Sequence, residues 1–401
     1  MASCTSRSPH GGLLAGLGMG HLIPAVELAK CLVAQHGLTV TIFAVTNKAN
    51  QAEDELLQAA TSSWPDLLNT IVLIPQMPVP PLERCLNADI VDFISDMVTD
   101  TLPILLSYIV NMKWKPMVLI ADVLWTQAID VANEFNMIMC FFPLMQGEDL
   151  VELTFWPNGE ARQEFIRKGL DIATFDGVLV NTFEELESKT LASFRHEQSL
   201  KRMVQAPFYP IGPLQRFVWE IRPPKEEGKV ALPSNRVDNN KEKIVLNENE
   251  LMMISTYLPD GYMDRTRDTG NFGPILGSTR AHSHTSSNWR FYVPLWKEFS
   301  AIVSGVPIID GPLHSEQDMN ATMLTNEMKI AVRSDIKPKK GLITREEIRK
   351  LVTNVMVDKE GIDIRNDIKE FNAYAIKALN EGGSSFNALS KVANDCKDDI
   401  A

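Results

Sequence analysis

Hydrophobic positions in the first 45 residues follow a strand, helix, strand order. An apolar run ending at residues 13–15 predicts a short buried strand, and residues 40–45 predict another. Between them, apolar side chains recur at helical spacing at Leu22, Val26, Ala29 and Val33. We expect Pro24 in the first turn of this helix, where its missing N–H breaks no hydrogen bond. A glycine-rich turn over residues 16–20 therefore joins the first strand to the first helix.

The alternation of helix and strand patterns continues beyond this unit. Residues 51–60 favour a helix, and residues 90–110 favour a long amphipathic helix in which Pro103 predicts a kink or a break. Residues 71–74 predict a further strand. The apolar runs at residues 116–122 and 137–142 are typical of buried parallel strands. The pattern predicts an α/β protein with a parallel sheet.

Composition narrows the class of protein. A length of 401 residues suggests two domains, and a net charge of −12 argues against nucleic acid or an anionic membrane as partners. The five cysteines are scattered without metal-ligand spacing, as expected for reduced thiols of an intracellular protein. Neither a signal peptide nor a membrane span is evident in the sequence. We therefore expect a cytoplasmic protein.

The glycine-rich turn allows two functional interpretations. Gly16 and Gly18 begin a dinucleotide-binding fingerprint, but His21 stands where the third glycine should be, and no acidic residue follows the second strand. A histidine at a helix N-terminus suits a general base better, because the helix dipole disfavours the imidazolium. At this point a histidine without a chemical role remains equally possible.

The string GMGHLIPAVELAKCLVAQHGLTVTIF resembles the N-terminus of plant family-1 UDP-sugar glycosyltransferases, particularly the hydroquinone (arbutin-forming) glucosyltransferase group. The resemblance implies two facing Rossmann-like domains, the GT-B type glycosyltransferase fold. It makes His21 the catalytic base and places Gly18 and Gly20 near the site. It also makes Asp122, at the end of an apolar strand, the hydrogen-bond partner of His21. The alternative is that Asp122 only caps a helix starting near Thr126.

The end of the family's donor-binding box is present in Pro312-Leu313-His314-Ser315-Glu316-Gln317. By resemblance, Glu316 and Gln317 bind the hydroxyl groups of the donor sugar; the alternative is a solvated helix start. The family needs no cofactor and no metal, because protein groups neutralise the leaving diphosphate. UDP-glucose is then the donor substrate.

Two blocks of the family pattern are missing. One is absent after residue 143, and the other, comprising the first strand and helix of the C-terminal domain, is absent after residue 214. We expect residues 1–214 to form an acceptor-binding domain and residues 215–401 a truncated UDP-sugar-binding domain. The last helix is expected to cross back to the N-terminal domain.

The beginning of the donor-binding box is not recognisable in residues 276–300. Read one nucleotide to the right, the same stretch can encode W-A-P-Q followed by H-C-G-(K/R)-N-S at the family's own spacing. This indicates a shifted reading frame. His282 and His284 lie in this stretch, but without further ligands nearby they are a weak metal motif.

The resemblance implies inverting transfer of glucose from UDP-glucose to a hydroxyl group of a phenolic small molecule, by a monomeric enzyme. The alternative is a catalytically impaired relative that does not bind the donor, or an error in the coding sequence inferred for the gene. The acceptor cannot be identified from the sequence, because the block missing after residue 143 lines its pocket.

Overall fold

The computed structural model describes residues 9–16, 19–46, 51–65, 67–74, 89–142, 159–214, 298–310, 321–334 and 343–398. Their main feature is a parallel sheet of seven strands in the order β3-β2-β1-β4-β5-β6-β7. The strands of this sheet are β1 His10–Ala15, β2 Thr39–Val45, β3 Leu68–Leu73, β4 Val118–Asp122, β5 Ile138–Phe142, β6 Gly177–Val180 and β7 Phe208–Pro210. The order changes direction at β1, which lies between β2 and β4, and ligands of open α/β sheets bind at such a point.

Helices connect these strands, as parallel pairing requires. They are α1 Met19–His36, α2 Gln51–Ser63, α3 Asp89–Asn111, a 3-10 helix Val123–Ala128, α4 Ile129–Glu134, α5 Gly159–Ile172, α6 Ser188–His196 and α7 Gln198–Met203. Separate apolar clusters cover the two faces of the sheet. One contains Leu13 and the inner side of α1, and the other contains Leu14, Phe43 and Trp125. Alternate residues of β1 thus enter opposite cores.

The register between β1 and β4 positions the site. Leu13 lies opposite Ile120 and Leu14 opposite Ala121, so the last residue of β4, Asp122, falls beside the end of β1. The chain leaves β1 into Gly16 and enters α1 soon afterwards. A carboxylate and the first turn of a helix therefore meet at the carboxyl edge of the sheet.

The C-terminal part contains two further parallel strands among the described residues, β8 Ile308–Asp310 and β9 Ala331–Arg333. The accompanying helices are α8 Glu298–Ser304, a π-helical turn Met323–Glu327, α9 Arg345–Val357, α10 Lys359–Leu379 and α11 Ser384–Asp398. The apolar core of this part includes Ile308 and Ile368, and it also takes in Phe183 and Leu186 from the segment after β6. The two parts of the chain therefore share buried apolar surface.

The last helix, α11, packs against the first part of the chain. Its Ser385 hydroxyl donates a 2.6 Å hydrogen bond to the carbonyl oxygen of Gly212, just beyond β7. The ring of Phe386 lies 4.9 Å from that of His36, at the end of α1. Leu389 and Val392 complete the apolar cluster between α1 and the sheet.

The predicted strands at residues 40–45, 116–122 and 137–142 agree with β2, β4 and β5, whereas the placement of Pro24 in a first helical turn was wrong. Helix α1 already begins at Met19, so Pro24 lies beyond the first turn, at a position where it has no N–H to donate to the Gly20 carbonyl. At Pro103, helix α3 is not broken. Its residues Val98, Leu105 and Ile109 are fully buried, and this packing offsets the roughly 3 kcal/mol that an interior proline costs.

Within the described ranges, no helix is both long and apolar enough to cross a membrane.

Candidate active site

A histidine and a carboxylate form the centre of the candidate site. His21 Nδ1 lies 2.6 Å from Asp122 Oδ2, although 101 residues separate them in sequence. The side chain of Asp122 is 1% exposed, whereas that of His21 is 19% exposed. The carboxylate is therefore behind the imidazole, and the imidazole is the member of the pair that solvent or a ligand can reach.

Backbone N–H groups hold the carboxylate from two further directions. Leu124 N–H donates to Oδ1 over 2.9 Å, and Gly16 N–H donates to Oδ2 over 3.2 Å. Asp122 is thus the N-cap of the 3-10 helix that starts at Val123 and the partner of His21 at the same time. The hydrogen bond to His21 that the resemblance implies is present, so Asp122 is more than a cap. The helix that it caps begins at Val123 and not near Thr126.

Local sequence explains how both groups reach this edge. Strand β4 is buried at every position, and its apolar run ends in an acidic residue, Asp122. The carboxylate of Asp122 therefore lies at the carboxyl edge of the sheet. His21 is the third residue of α1, so its side chain leaves the first turn of an 18-residue helix beside the end of β1. An imidazole held through Nδ1 carries its basic lone pair on Nε2. Such an arrangement can take a proton from a hydroxyl group.

The remaining predicted site residues are distributed as follows. The backbone of Gly20 lies in the first turn of α1, one residue before His21. Gly18, Glu316 and Gln317 lie outside the described residues, as do residues 276–297 of the altered donor box. Their predicted roles stay predictions. No group of histidine, cysteine and acidic side chains within the described part of the chain could hold a metal ion.

A second buried polar pair at the same edge was missed by the sequence analysis. Thr46 directly follows β2, and its hydroxyl donates a 2.8 Å hydrogen bond to Glu53 in the first turn of α2. Glu53 is only 5% exposed. An acidic residue in a first helical turn is common, so the sequence carried no signal that this one is buried beside the site.

Known proteins resemble the chain along most of its length, although no family model matches it. UDP-glycosyltransferase 72E1 of Arabidopsis thaliana is 29% identical, and the match covers 96% of each chain. Hydroquinone glucosyltransferase of Rauvolfia serpentina is 27% identical over 97% of this chain and 98% of its own. The solved structure of TcCGT1 in complex with UDP has a TM-score of 0.74 and 27% identity, covering 98% of this chain and all of that one.

The chain is therefore homologous to the plant UDP-glycosyltransferases, and it has their GT-B fold of facing Rossmann-like domains. These relatives are glycosyltransferases, and the names of two of them state a small-molecule acceptor, hydroquinone or an anthocyanidin.

The length of the alignment bears on the missing blocks. The alignment with UDP-glycosyltransferase 72E1 extends over 490 positions, whereas this chain has 401 residues. At least 89 alignment positions are therefore gaps in this chain. This difference supports the expectation that segments of the family pattern are missing. Their positions after residues 143 and 214, and the domain boundary at 214, stay predictions.

Proposed function

We propose that this protein derives from an inverting glucosyltransferase in which His21 is the general base and Asp122 orients it. The 2.6 Å contact between His21 Nδ1 and Asp122 Oδ2 is the observation that carries the proposal. It joins a buried acid to a partly exposed base at the ligand-binding edge of the sheet. The buried carboxylate stabilises the imidazolium that forms during the reaction.

The reaction balances without a cofactor. His21 Nε2 takes the proton of the acceptor hydroxyl group while the oxygen of that hydroxyl group attacks the anomeric carbon of the sugar. The bond from that carbon to the diphosphate oxygen breaks, and UDP leaves with the electron pair. Attack from the face opposite the leaving group inverts the anomeric configuration.

We further propose UDP-glucose as the donor and a phenol as the acceptor. The support comes from two relatives whose names specify the transfer of glucose and the acceptor. They are hydroquinone glucosyltransferase of Rauvolfia serpentina, and anthocyanidin 3-O-glucosyltransferase 5 of Manihot esculenta, which is 29% identical over 96% of this chain. Hydroquinone and anthocyanidins carry aromatic hydroxyl groups, which lose a proton more readily than aliphatic ones. Glu316 and Gln317 are the proposed ligands of the glucose hydroxyls.

The sequence of residues 276–300 favours a second candidate for the chain as written. The histidines and tryptophans of the stretch, His282, His284, Trp289 and Trp296, do not stand at the positions where the family's tryptophan and histidine bind UDP. The stretch also contains no Asn-Ser pair. Losing several hydrogen bonds to a charged ligand, at about 1.5–3 kcal/mol each, would remove most of the donor affinity. We propose that the protein with this amino-acid sequence is a glycosyltransferase relative impaired in UDP binding. We also propose that the nucleotide sequence, read in the frame shifted by one nucleotide, encodes the complete donor-binding box.

One experiment tests both proposals. The transcript is sequenced across codons 270–306, and two proteins are then compared, the chain as written and a version carrying the shifted frame. Calorimetry with UDP and chromatographic detection of hydroquinone glucoside are the measurements. We expect negligible UDP binding by the chain as written, and both binding and transfer by the repaired version.

Contrary results are distinct for the two proposals. A repaired chain that binds UDP but transfers glucose to no phenol would overturn the proposed reaction. Tight UDP binding by the chain as written would overturn the lost donor site, and a shifted frame without H-C-G-x-N-S would overturn the frameshift.

A further inference from the structure

Gly16 approaches the Asp122 carboxylate more closely than any other residue type could. A Cβ atom built on Gly16 would lie 2.9 Å from Asp122 Oδ2 and 3.0 Å from a methyl group of Leu124. The first distance is shorter than real Cβ contacts, and the second is at the edge of what they tolerate. The absence of a side chain at this position is thus what allows the Gly16 N–H to reach Oδ2.

Trp125 closes the same space from the core side. Its indole Nε1 would lie 3.4 Å from that Cβ atom, and the residue is fully buried. Nε1 finds no hydrogen-bond partner among the described residues. The buried indole fills the space beside Gly16 and leaves no room there for a side chain.

We propose that Gly16, closed in by Trp125, is the positioning residue that seats the Asp122 carboxylate against His21. The backbone N–H of Gly16 and the lack of a Cβ atom place Oδ2 where it can accept the hydrogen bond from His21 Nδ1. This bond selects the imidazole tautomer with its proton on Nδ1 and its lone pair on Nε2. The inference rests on the proposed function, since it explains how the base is prepared for an acceptor.

The tautomer can be measured without any turnover. Nitrogen-15 chemical shifts of the imidazole ring distinguish the two neutral tautomers, and a His21→Gln variant identifies the resonances of His21 among the seven histidines. In the parent chain we expect the Nδ1–H form. In Gly16→Ala the added methyl group displaces Oδ2, so the ratio of Nδ1–H to Nε2–H should fall about tenfold.

Two other glycines of the same region supply matched controls. A Cβ atom on Gly11 would meet only ordinary contacts, with Val118 at 3.5 Å and Leu38 at 3.7 Å. One on Gly12 would be tight, at 3.1 Å from Phe43, but this crowding involves apolar side chains instead of the carboxylate. Gly11→Ala and Gly12→Ala should both keep the parent tautomer, which separates a specific effect from general strain in β1.

An unchanged tautomer in a folded Gly16→Ala variant would overturn the proposal. If that variant does not fold, Trp125→Phe is measured instead. It removes part of the indole that packs beside Gly16 and Asp122, so it should also lower the ratio of Nδ1–H to Nε2–H. An unchanged ratio in Trp125→Phe would then overturn the proposal. A tautomer change in Gly16→Ala, together with a repaired chain that binds UDP but transfers no glucose, would support the role of Gly16 while contradicting the proposed reaction.

Discussion

At the scale of single residues, Asp122 gathers partners from three separate elements. It accepts hydrogen bonds from the turn after β1, from the helix that follows β4, and from His21 in α1. These partners satisfy both oxygens of a carboxylate that is almost completely buried. The geometry of the imidazole is therefore fixed by a group that has little freedom to move.

Replacing His21 should remove the base and leave the donor site intact. In the repaired, active chain we expect His21→Ala to lower kcat about 10²–10⁴-fold, the range for a lost general base. Asp122→Asn should also lower kcat, because an amide does not stabilise the imidazolium. Neither change should alter UDP affinity by more than about twofold, as measured by calorimetry.

His196, an exposed histidine on α6, is the control for this series. His196→Ala should retain the turnover of the parent chain. Parent-like turnover in the folded His21→Ala variant would rule out His21 as the base.

At the scale of elements, the attachment of α11 to the end of β7 is the most instructive contact. Ser385 is the second residue of α11, directly after Gly382-Gly383-Ser384, and it is 1% exposed. Its hydroxyl donates a hydrogen bond to the carbonyl oxygen of Gly212. The N–H of Gly212 in turn donates to the carbonyl oxygen of Thr182. The side chain of Asn181 accepts a hydrogen bond from Leu214 N–H on the same segment. The segment that leaves the seven-stranded sheet is therefore fastened from both sides.

Removing the Ser385 hydroxyl should loosen this attachment. Ser385→Ala leaves a buried carbonyl without its partner, so we expect the free energy of unfolding to fall by about 1–3 kcal/mol in urea titrations. The neighbouring Ser384 is the matched control, since its hydroxyl makes only a marginal 3.5 Å contact with Glu185. Equal losses in Ser384→Ala and Ser385→Ala would contradict a specific role for the Gly212 contact.

At the scale of the whole molecule, the same interface should make stability depend on pH. Burial, followed by the negative charge of Asp395 on α11, raises the pKa of Tyr209 to about 12 from its ordinary value of 10. Lys391 lies 5.6 Å from the centre of the same ring. Because its pKa is raised, the Tyr209 phenol keeps its proton in the folded protein at a pH where the unfolded chain has already lost it.

This difference has a definite sign. Below pH 10 both states carry the proton, whereas between about pH 10 and 12 only the unfolded state releases it, so the free energy of unfolding falls as pH rises. The loss attributable to Tyr209 should reach up to about 2.7 kcal/mol, at about 1.36 kcal/mol for each pKa unit. Urea titrations of Tyr209→Phe across this window should show a correspondingly weaker pH dependence. Tyr108→Phe, at an exposed position on α3, should behave like the parent chain, and an equal change in both variants would refute the assignment.

The sequence by itself determined the elements whose signal is local. The apolar runs of β2, β4 and β5 and the helical spacing after the glycine turn reflect burial that each segment would need in any arrangement. The acid at the end of β4 and the histidine at the start of α1 could be singled out for the same reason. Their pairing, however, came from the family resemblance, because no local pattern encodes which strand lies next to which.

Only the tertiary structure decided the contacts that depend on sheet order and register. The parallel pairing of β1 with β4 brings Gly16 and Asp122 together across 106 residues, and the return of α11 joins Ser385 to Gly212 across 173. It also showed that α3 tolerates Pro103, since packing on neighbouring elements outweighs a local preference. Local patterns fix what each segment needs to bury, whereas the choice of neighbour is a cooperative property of the whole sheet.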